Sequence, residues 1–181
     1  LGVPNIYKVS IPGLEADDAI IQISSELDTR IKEKYKDRRV FISSTDKDLL
    51  CCLTENVRII LKYGKTAPFS TKDGAELRDL EYFKGEFSSI APSKLFIFKA
   101  LTGDSSDNIK GIPRFRKSVA FEIINKCSFR KLISIYSDST ECDKTMLEYF
   151  SKCGVAISDK QVSDFIDHFS NVLQNLKVLS P

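Results

Sequence analysis

A chain of 181 residues is long enough to bury one real core, or one and a half small ones. With 42% hydrophobic and 29% charged residues it has the make-up of an ordinary globular protein, and no run approaches the roughly 18 apolar residues that cross a bilayer. A formal net charge of +2 by itself points to no class of partner.

The segment VPNIYKVSIPG reads as a short strand built on Ile6, Tyr7 and Val9 and stopped by Pro12-Gly13. In the stretch that follows, Ala16, Ile20, Ile23, Leu27 and Ile31 recur at helical spacing, which predicts a helix of about five turns. Glu15, Asp17 and Asp18 fall in its first turn, where the helix dipole favours acids. RRVFISS and NVRIILKYG are apolar, β-branched runs and predict two further strands, with TDKDLLCCL between them. The strand–helix–strand rhythm favours parallel pairing of the first two strands in an α/β sheet. From about residue 75 the pattern turns helical, in PSKLFIFKAL, RKSVAFEIINKC, FRKLISIYS, DKTMLEYFSKC and SDKQVSDFIDHFSNVLQNLKVL. Phe165, Phe169, Val172, Leu173 and Leu176 mark one apolar helical face, and Phe129, Leu132 and Ile133 another, both expected to pack on the sheet.

The five cysteines, Cys51, Cys52, Cys127, Cys142 and Cys153, form no CxxC pair and no zinc-like spacing, so free thiols are expected. The lone histidine, His168, lies in a predicted amphipathic helix and reads as structural or as a surface residue. Histidine-based catalysis is thereby disfavoured, and hydrolysis would have to rest on carboxylates, metal ions or lysine.

Three acidic clusters remain: Glu15, Asp17 and Asp18 at a helix start, Asp46 and Asp48 after a strand, and Asp104 and Asp107 after a helix. Each has a structural explanation, as first-turn acids, as an N-cap at Asp46, or as turn residues in Gly-Asp-Ser-Ser. Each of the first two also follows a strand, and ligand-binding groups of an open α/β sheet collect at the carboxyl ends of strands. Gathered together, such acids would repel unless a divalent cation neutralised them, and Mg²⁺ suits an all-oxygen donor set. Two ions about 4 Å apart activate a water and stabilise the leaving oxygen of a phosphodiester. Setting these seven acids aside leaves 27 basic residues against 18 acidic ones, a balance suited to a polyanion.

The motifs GLEADDAI, ISSTDKDLLCCL and ALTGDSSDNIKGIP occur here in the order and separation of the 5′-nuclease family, and the chain resembles that family over about residues 1–127. The family includes the 5′→3′ exonuclease domain of bacterial DNA polymerase I, phage 5′-exonucleases and flap endonucleases. The resemblance implies an α/β fold with a parallel-type, PIN-like sheet, followed by a helical helix–hairpin–helix region. It places the C-terminal part of the nuclease core at 1–90 and the helical region at 91–181, with the hairpin module at about 100–127. It implies Glu15 and Asp17 as ligands of a first metal with Asp18 beside them. Asp46 and Asp48 match the strand-end motif, Asp48 serving the second metal more than the first, and Asp104 and Asp107 complete that second site. The implied cofactors are two Mg²⁺ ions, with Mn²⁺ as a substitute. The implied reaction is hydrolysis of DNA, or of RNA in hybrids, at a 5′ end or a 5′ flap, in a bacterial or phage-infected cytoplasm without membrane attachment.

DNIKGIP would open the hairpin that grips duplex phosphates, with Lys110, Gly111, Ile112, Arg114, Arg116 and Lys117 as the DNA-binding set. Two departures stand out. Where the family usually continues with Gly-x-Gly, this chain has Arg114-Phe115-Arg116, which puts the backbone cradle and its K⁺ ion in question and shifts phosphate contact to side chains. The family's early aspartates and basic arch are absent, and the chain opens on Leu1, so about a hundred residues are expected to precede it in the complete protein. The alternative reading is a catalytically incomplete module that binds DNA structures.

Overall fold

The computed structural model describes residues 7–62, 75–87, 90–138 and 141–179. The chain divides into two compact units, Leu1–Asp79 and Leu80–Pro181.

The first unit is a three-stranded sheet with one long helix. Helix α1 spans Ala16–Lys34, with Asp17 and Asp18 in its first turn and Lys32 and Lys34 in its last, each sign at the end the helix dipole favours. Strand β1 (Val40–Ser43) pairs in parallel with β2 (Val57–Lys62), in the register Ile42 to Ile59. Strand β3 (Ala75–Arg78) adds antiparallel to β2, giving the order β1-β2-β3. Ile42, Val57 and Ile59 are buried, as period-two alternation requires. Burying each such side chain contributes about 1.5–3 kcal/mol. A 3₁₀ turn at Asp48–Cys52 follows β1 and drives Leu49 and Leu50 into the core, where it packs against α1 and β2.

Three expectations need correction in this unit. Of the first predicted strand, Ile6 lies outside the described residues, and Tyr7 to Ile11 pair with no described strand; Tyr7 is 81% exposed. The parallel pair is therefore β1–β2, joined through the 3₁₀ turn rather than through α1. The buried side of α1 is also rotated from the apolar stripe: Ile23 and Leu27 are each 40% exposed, whereas Ser24, Asp28 and Ile31 are buried. That rotation is tolerated because Asp28 is fully hydrogen-bonded. Its Oδ1 accepts from Thr54 Oγ1 and Asn56 Nδ2, both at 2.9 Å, and Lys32 Nζ lies 2.7 Å from its Oδ2. Burial alone raises the Asp28 pKa, but these three partners outweigh it and hold the carboxyl below its ordinary range. The third miss is β3, whose sequence AELR has no β-branched residue and takes its conformation from pairing with β2.

The second unit is helical: α2 (Leu80–Phe87), α3 (Leu95–Thr102), α4 (Lys117–Lys126), α5 (Phe129–Asp138), α6 (Cys142–Lys152) and α7 (Asp159–Leu179). Pro92 opens a 3₁₀ turn that leads into α3, a position where its missing N–H costs nothing. The apolar face of α7 is buried as its spacing predicts, with Phe165, Phe169 and Val172 inside. Within this unit it packs on α3 and α6. Phe165 is the hub, with ring centroids 4.9 Å from Phe169, 5.4 Å from Phe150 and 6.2 Å from Phe115. In α5, Leu132 and Ile135 are buried while Ile133 is exposed, a turn of the face from the one expected. Among the described residues no helix is long and apolar enough to cross a membrane. All five cysteines are unpaired, and His168 Nδ1 lies 2.9 Å from the Asp164 carbonyl oxygen within α7.

Candidate active site

The candidate acids of the first unit sit at two places, the start of α1 and the turn after β1. Glu15 is the exposed N-cap residue of α1 and makes no side-chain cap, while Asp17 and Asp18 are half-buried in the first turn. Beyond β1, the Asp46 N–H donates to Ser44 Oγ at 3.1 Å, and the Asp48 N–H donates to Asp46 Oδ1 at 2.9 Å. The sequence leads one to expect Asp46 as the N-cap of a helix beginning at Lys47; instead Lys47 is the N-cap, Asp46 accepts the turn bond two residues on, and Asp48 opens the 3₁₀ turn half-buried. Within this unit no three of these five acids bring ligand atoms within 4.8 Å of one another, among the described residues.

The acids of the second unit are closer together. Helix α3 ends at Gly103, whose φ of +85° is free only to glycine, and the chain turns back through an Asp104–Ile109 bridge. The two backbone bonds of that bridge are 2.9 and 2.8 Å, and Asn108, an asparagine tolerated in the left-handed region, closes the turn at φ +55°. A carboxylate oxygen of Asp104 lies within 4.8 Å of one from Asp107. Lys99, on the last turn of α3, holds both: its Nζ is 2.5 Å from Asp104 Oδ2 and 3.6 Å from Asp107 Oδ2. Lys99 is only 9% exposed, so this cation is kept out of water. Ser106 adds its Oγ and its N–H to Asp104 Oδ1, at 2.5 and 2.9 Å. Burial raises the Asp104 pKa, but Lys99 and then Ser106 more than reverse it, and the carboxyl titrates at about 2.

Lys99 was missed by sequence reasoning. The signal was present: a lone lysine in LFIFKAL, five residues before Asp104, on a helix otherwise apolar.

The predicted DNA-binding residues form the return arm of this hairpin. A Cβ on Gly111 would lie 2.2 Å from the Gly103 N, so the two glycines permit the closest approach of the arms. Ile112 is buried and its N–H donates to the Leu101 carbonyl at 2.9 Å, which makes it the packing residue of the turn. Lys110, Arg114, Arg116 and Lys117 are exposed. The N-cap of α4 is Arg116, with no side-chain cap on the first-turn amides, an arrangement that suits an anion.

A sheet with a parallel pair in one unit and, in the other, helices interrupted after α3 by a glycine-tight hairpin fit the fold expected of a 5′-nuclease. Solved structures agree: the T5 D15 protein co-crystallised with metal ions matches with a TM-score of 0.60 at 20% identity, over 94% of this chain and 51% of that one. The bacteriophage T5 D15 flap endonuclease, in a pseudo-enzyme-product complex with DNA and metal ions, matches with a TM-score of 0.59 at 19% identity, over 93% and 50%. No protein-family model matches the chain. Its sequence relatives include proteins named 5′-3′ exonuclease and others named DNA polymerase I. The 5′-3′ exonuclease of Buchnera aphidicola (subsp. Acyrthosiphon pisum) is 33% identical over 74% of this chain and 40% of its own length. That of Mycoplasmopsis pulmonis is 36% identical over 76% and 39%. The chain is therefore a homologue of bacterial 5′-3′ exonucleases with the fold of the T5 enzyme, and it spans about two-fifths of the length of those relatives.

Proposed function

We propose that the protein is part of a divalent-metal-dependent 5′-nuclease, hydrolysing phosphodiester bonds of DNA, or of RNA in hybrids, at 5′ ends or branched 5′ flaps in the cytoplasm. The observation that carries this reading is the pair Asp104 and Asp107, held on one cation with Asp104 ionised down to about pH 2. The donor set fits a hard divalent ion. It consists of carboxylate oxygens, with an ammonium group standing where positive charge is wanted. In the second unit Asp104 and Asp107 would hold an ion; in the first, Glu15, Asp17, Asp18, Asp46 and Asp48 are the acids that would serve an ion or its waters. Bound there, Mg²⁺ or Mn²⁺ would make water a better nucleophile and screen the charge that develops on phosphate. The chain's own contribution is positional. Ser106 and Lys99 fix the orientation of Asp104, and the 3₁₀ turn fixes Asp48. Lys110, Gly111, Ile112, Arg114, Arg116 and Lys117 form the hairpin that seats the duplex backbone without reading bases. Asp104→Ala in the complete polypeptide tests the reading: cleavage of a 5′-labelled flap in Mg²⁺ should be abolished while DNA binding is kept or tightened. Retained cleavage would refute it.

One observation favours a second reading, a DNA-structure-binding module without catalysis. Lys99 already neutralises the pair that a metal would serve, at 2.5 Å from Asp104. Thermal melting separates the two, because an ion that binds only the folded state must raise the melting temperature. No rise in Mg²⁺ or Mn²⁺ would favour the module.

A further inference from the structure

Four of the five free cysteines fall into two close pairs, one in each unit. Cys51 and Cys52 are neighbours in the chain, with sulfurs 3.8 Å apart. They are poorly placed for a disulfide, because adjacent residues keep their Cα atoms about 3.8 Å apart, short of the roughly 4.4–6.8 Å that a disulfide spans. Cys127 and Cys153 are the opposite case: Cys127 is the C-cap of α4 and Cys153 the C-cap of α6. The chain on either side of Cys127 is fastened to the end of α6. Lys126 Nζ donates to the Gly154 carbonyl at 2.6 Å, and the Ser128 N–H donates to the Tyr149 hydroxyl oxygen at 3.0 Å. One turn earlier, Glu122 Oε2 accepts the Ala156 N–H at 3.2 Å and lies 2.9 Å from Lys126 Nζ. These bonds set the two thiols against each other, with the Tyr149 hydroxyl beside them. Burial, and then the Cys153 thiol, push the Cys127 pKa up to about 12, so Cys127 stays a thiol at neutral pH. Both cysteines are half-buried, which leaves them within reach of a small reagent.

We propose that Cys127 and Cys153 are a dithiol oxidation site that takes hydrogen peroxide as its oxidant and closes a disulfide clamping the end of α4 to the end of α6. The Cys153 sulfur attacks one peroxide oxygen and becomes a sulfenic acid, and the other oxygen leaves as water. The Cys127 sulfur then displaces the sulfenic hydroxyl as a second water and forms the S–S bond. Both thiol protons leave in the waters, and the two electrons given up by the sulfurs reduce the peroxide. The bond closes a loop of about 26 residues, and it restricts the unfolded chain far more than a folded one whose helix ends already meet. The site needs no metal ion, nucleic acid or carboxylate, so it stands apart from the nuclease reading.

The chain is treated with hydrogen peroxide at neutral pH, blocked with iodoacetamide and digested with trypsin. Cleavage after lysine and arginine puts the two residues on separate peptides, CSFR (127–130) and CGVAISDK (153–160), whereas Cys51 and Cys52 stay together on DLLCCLTENVR (48–58). The first two peptides should appear joined and be parted by dithiothreitol, with the protein a monomer on a non-reducing gel. The oxidised chain should melt about 8 °C above the reduced one. Dithiothreitol should reverse the rise, C127S and C153S should each abolish it, and C51S/C52S should keep it. Sulfinic acid at Cys153 with no joined peptide overturns the site, as does a dimer joined through these residues or a rise that survives in C127S. Joined peptides without a rise in melting temperature overturn the clamp.

Discussion

Two acidic loops, one in each unit, bring aspartates two or three residues apart, and they are held by different means. The loop after β1 is organised by the backbone: Asp46 accepts the Asp48 N–H and thereby starts a turn. The loop after α3 is organised by a cation: Asp104 and Asp107 converge on the shielded Lys99. An amide partner leaves the negative charge of its acid largely intact, whereas an ammonium partner cancels it. The same pattern of carboxylates can therefore be a solvated turn in one place and a charge-balanced pair in another. Sequence spacing alone does not distinguish them.

Lys99→Met is the sharpest way to break this contrast. It leaves two carboxylates facing each other with no counter-charge, and the loss should be about 4 kcal/mol in urea unfolding at neutral pH. The same variant should show a larger rise in melting temperature with Mg²⁺ than the parent does, since the ion would then relieve repulsion that Lys99 now relieves. Gly111→Ala attacks the scaffold of the second loop instead. A Cβ 2.2 Å from the Gly103 N forces the arms apart, and the expected cost is about 3 kcal/mol. Asp28→Asn probes the carboxylate that the first unit does bury, with an expected loss of about 2 kcal/mol at pH 7. The folded-state pKa of Asp28 is lowered, so its stabilisation is present above the unfolded value near 3.8 and disappears as pH falls through the lower, folded one. Stability of parent and variant, measured by denaturant titration at pH 7 and again in acid, should therefore converge. Asp46→Ala should cost least, about 1 kcal/mol, because it removes one bond from an exposed turn; a loss as large as that of Lys99→Met would erase the distinction between the loops.

The helical half was legible because its apolar residues recur at helical spacing between Pro, Gly and Ser punctuation, and five segments read that way are helices α3 to α7. The hairpin was legible for another reason: Gly103 and Gly111 occupy positions where only glycine fits. What the sequence hid were the places where a polar partner overrides hydrophobicity. Asp28 turns the buried side of α1 away from Ile23 and Leu27 because Thr54, Asn56 and Lys32 satisfy it, and these partners lie up to 28 residues away in the chain. Strand β3 was hidden because AELR carries no strand propensity and is ordered by a neighbour. Lys99 was hidden because a lysine in an apolar helix is read as a surface residue unless its carboxylate partners are known. The basic residues of the hairpin and the candidate metal acids were visible only as residue types at suggestive spacings, with the family resemblance supplying their expected roles.

The long C-terminal helix carries a consequence beyond its share of the hydrophobic interior. Asn175 Nδ2 donates to the carbonyls of Ala100 and Lys110, at 3.3 and 2.9 Å, and so rivets the outgoing helix and the returning strand of the hairpin together from a site 65 residues downstream of Lys110. The two arms of the hairpin are thus fastened to each other by Asn175 only once α7 has been synthesised. A ribosome-bound chain that has emerged only as far as α6 would display the aspartates and the basic turn without the fastener that sets the distance between them.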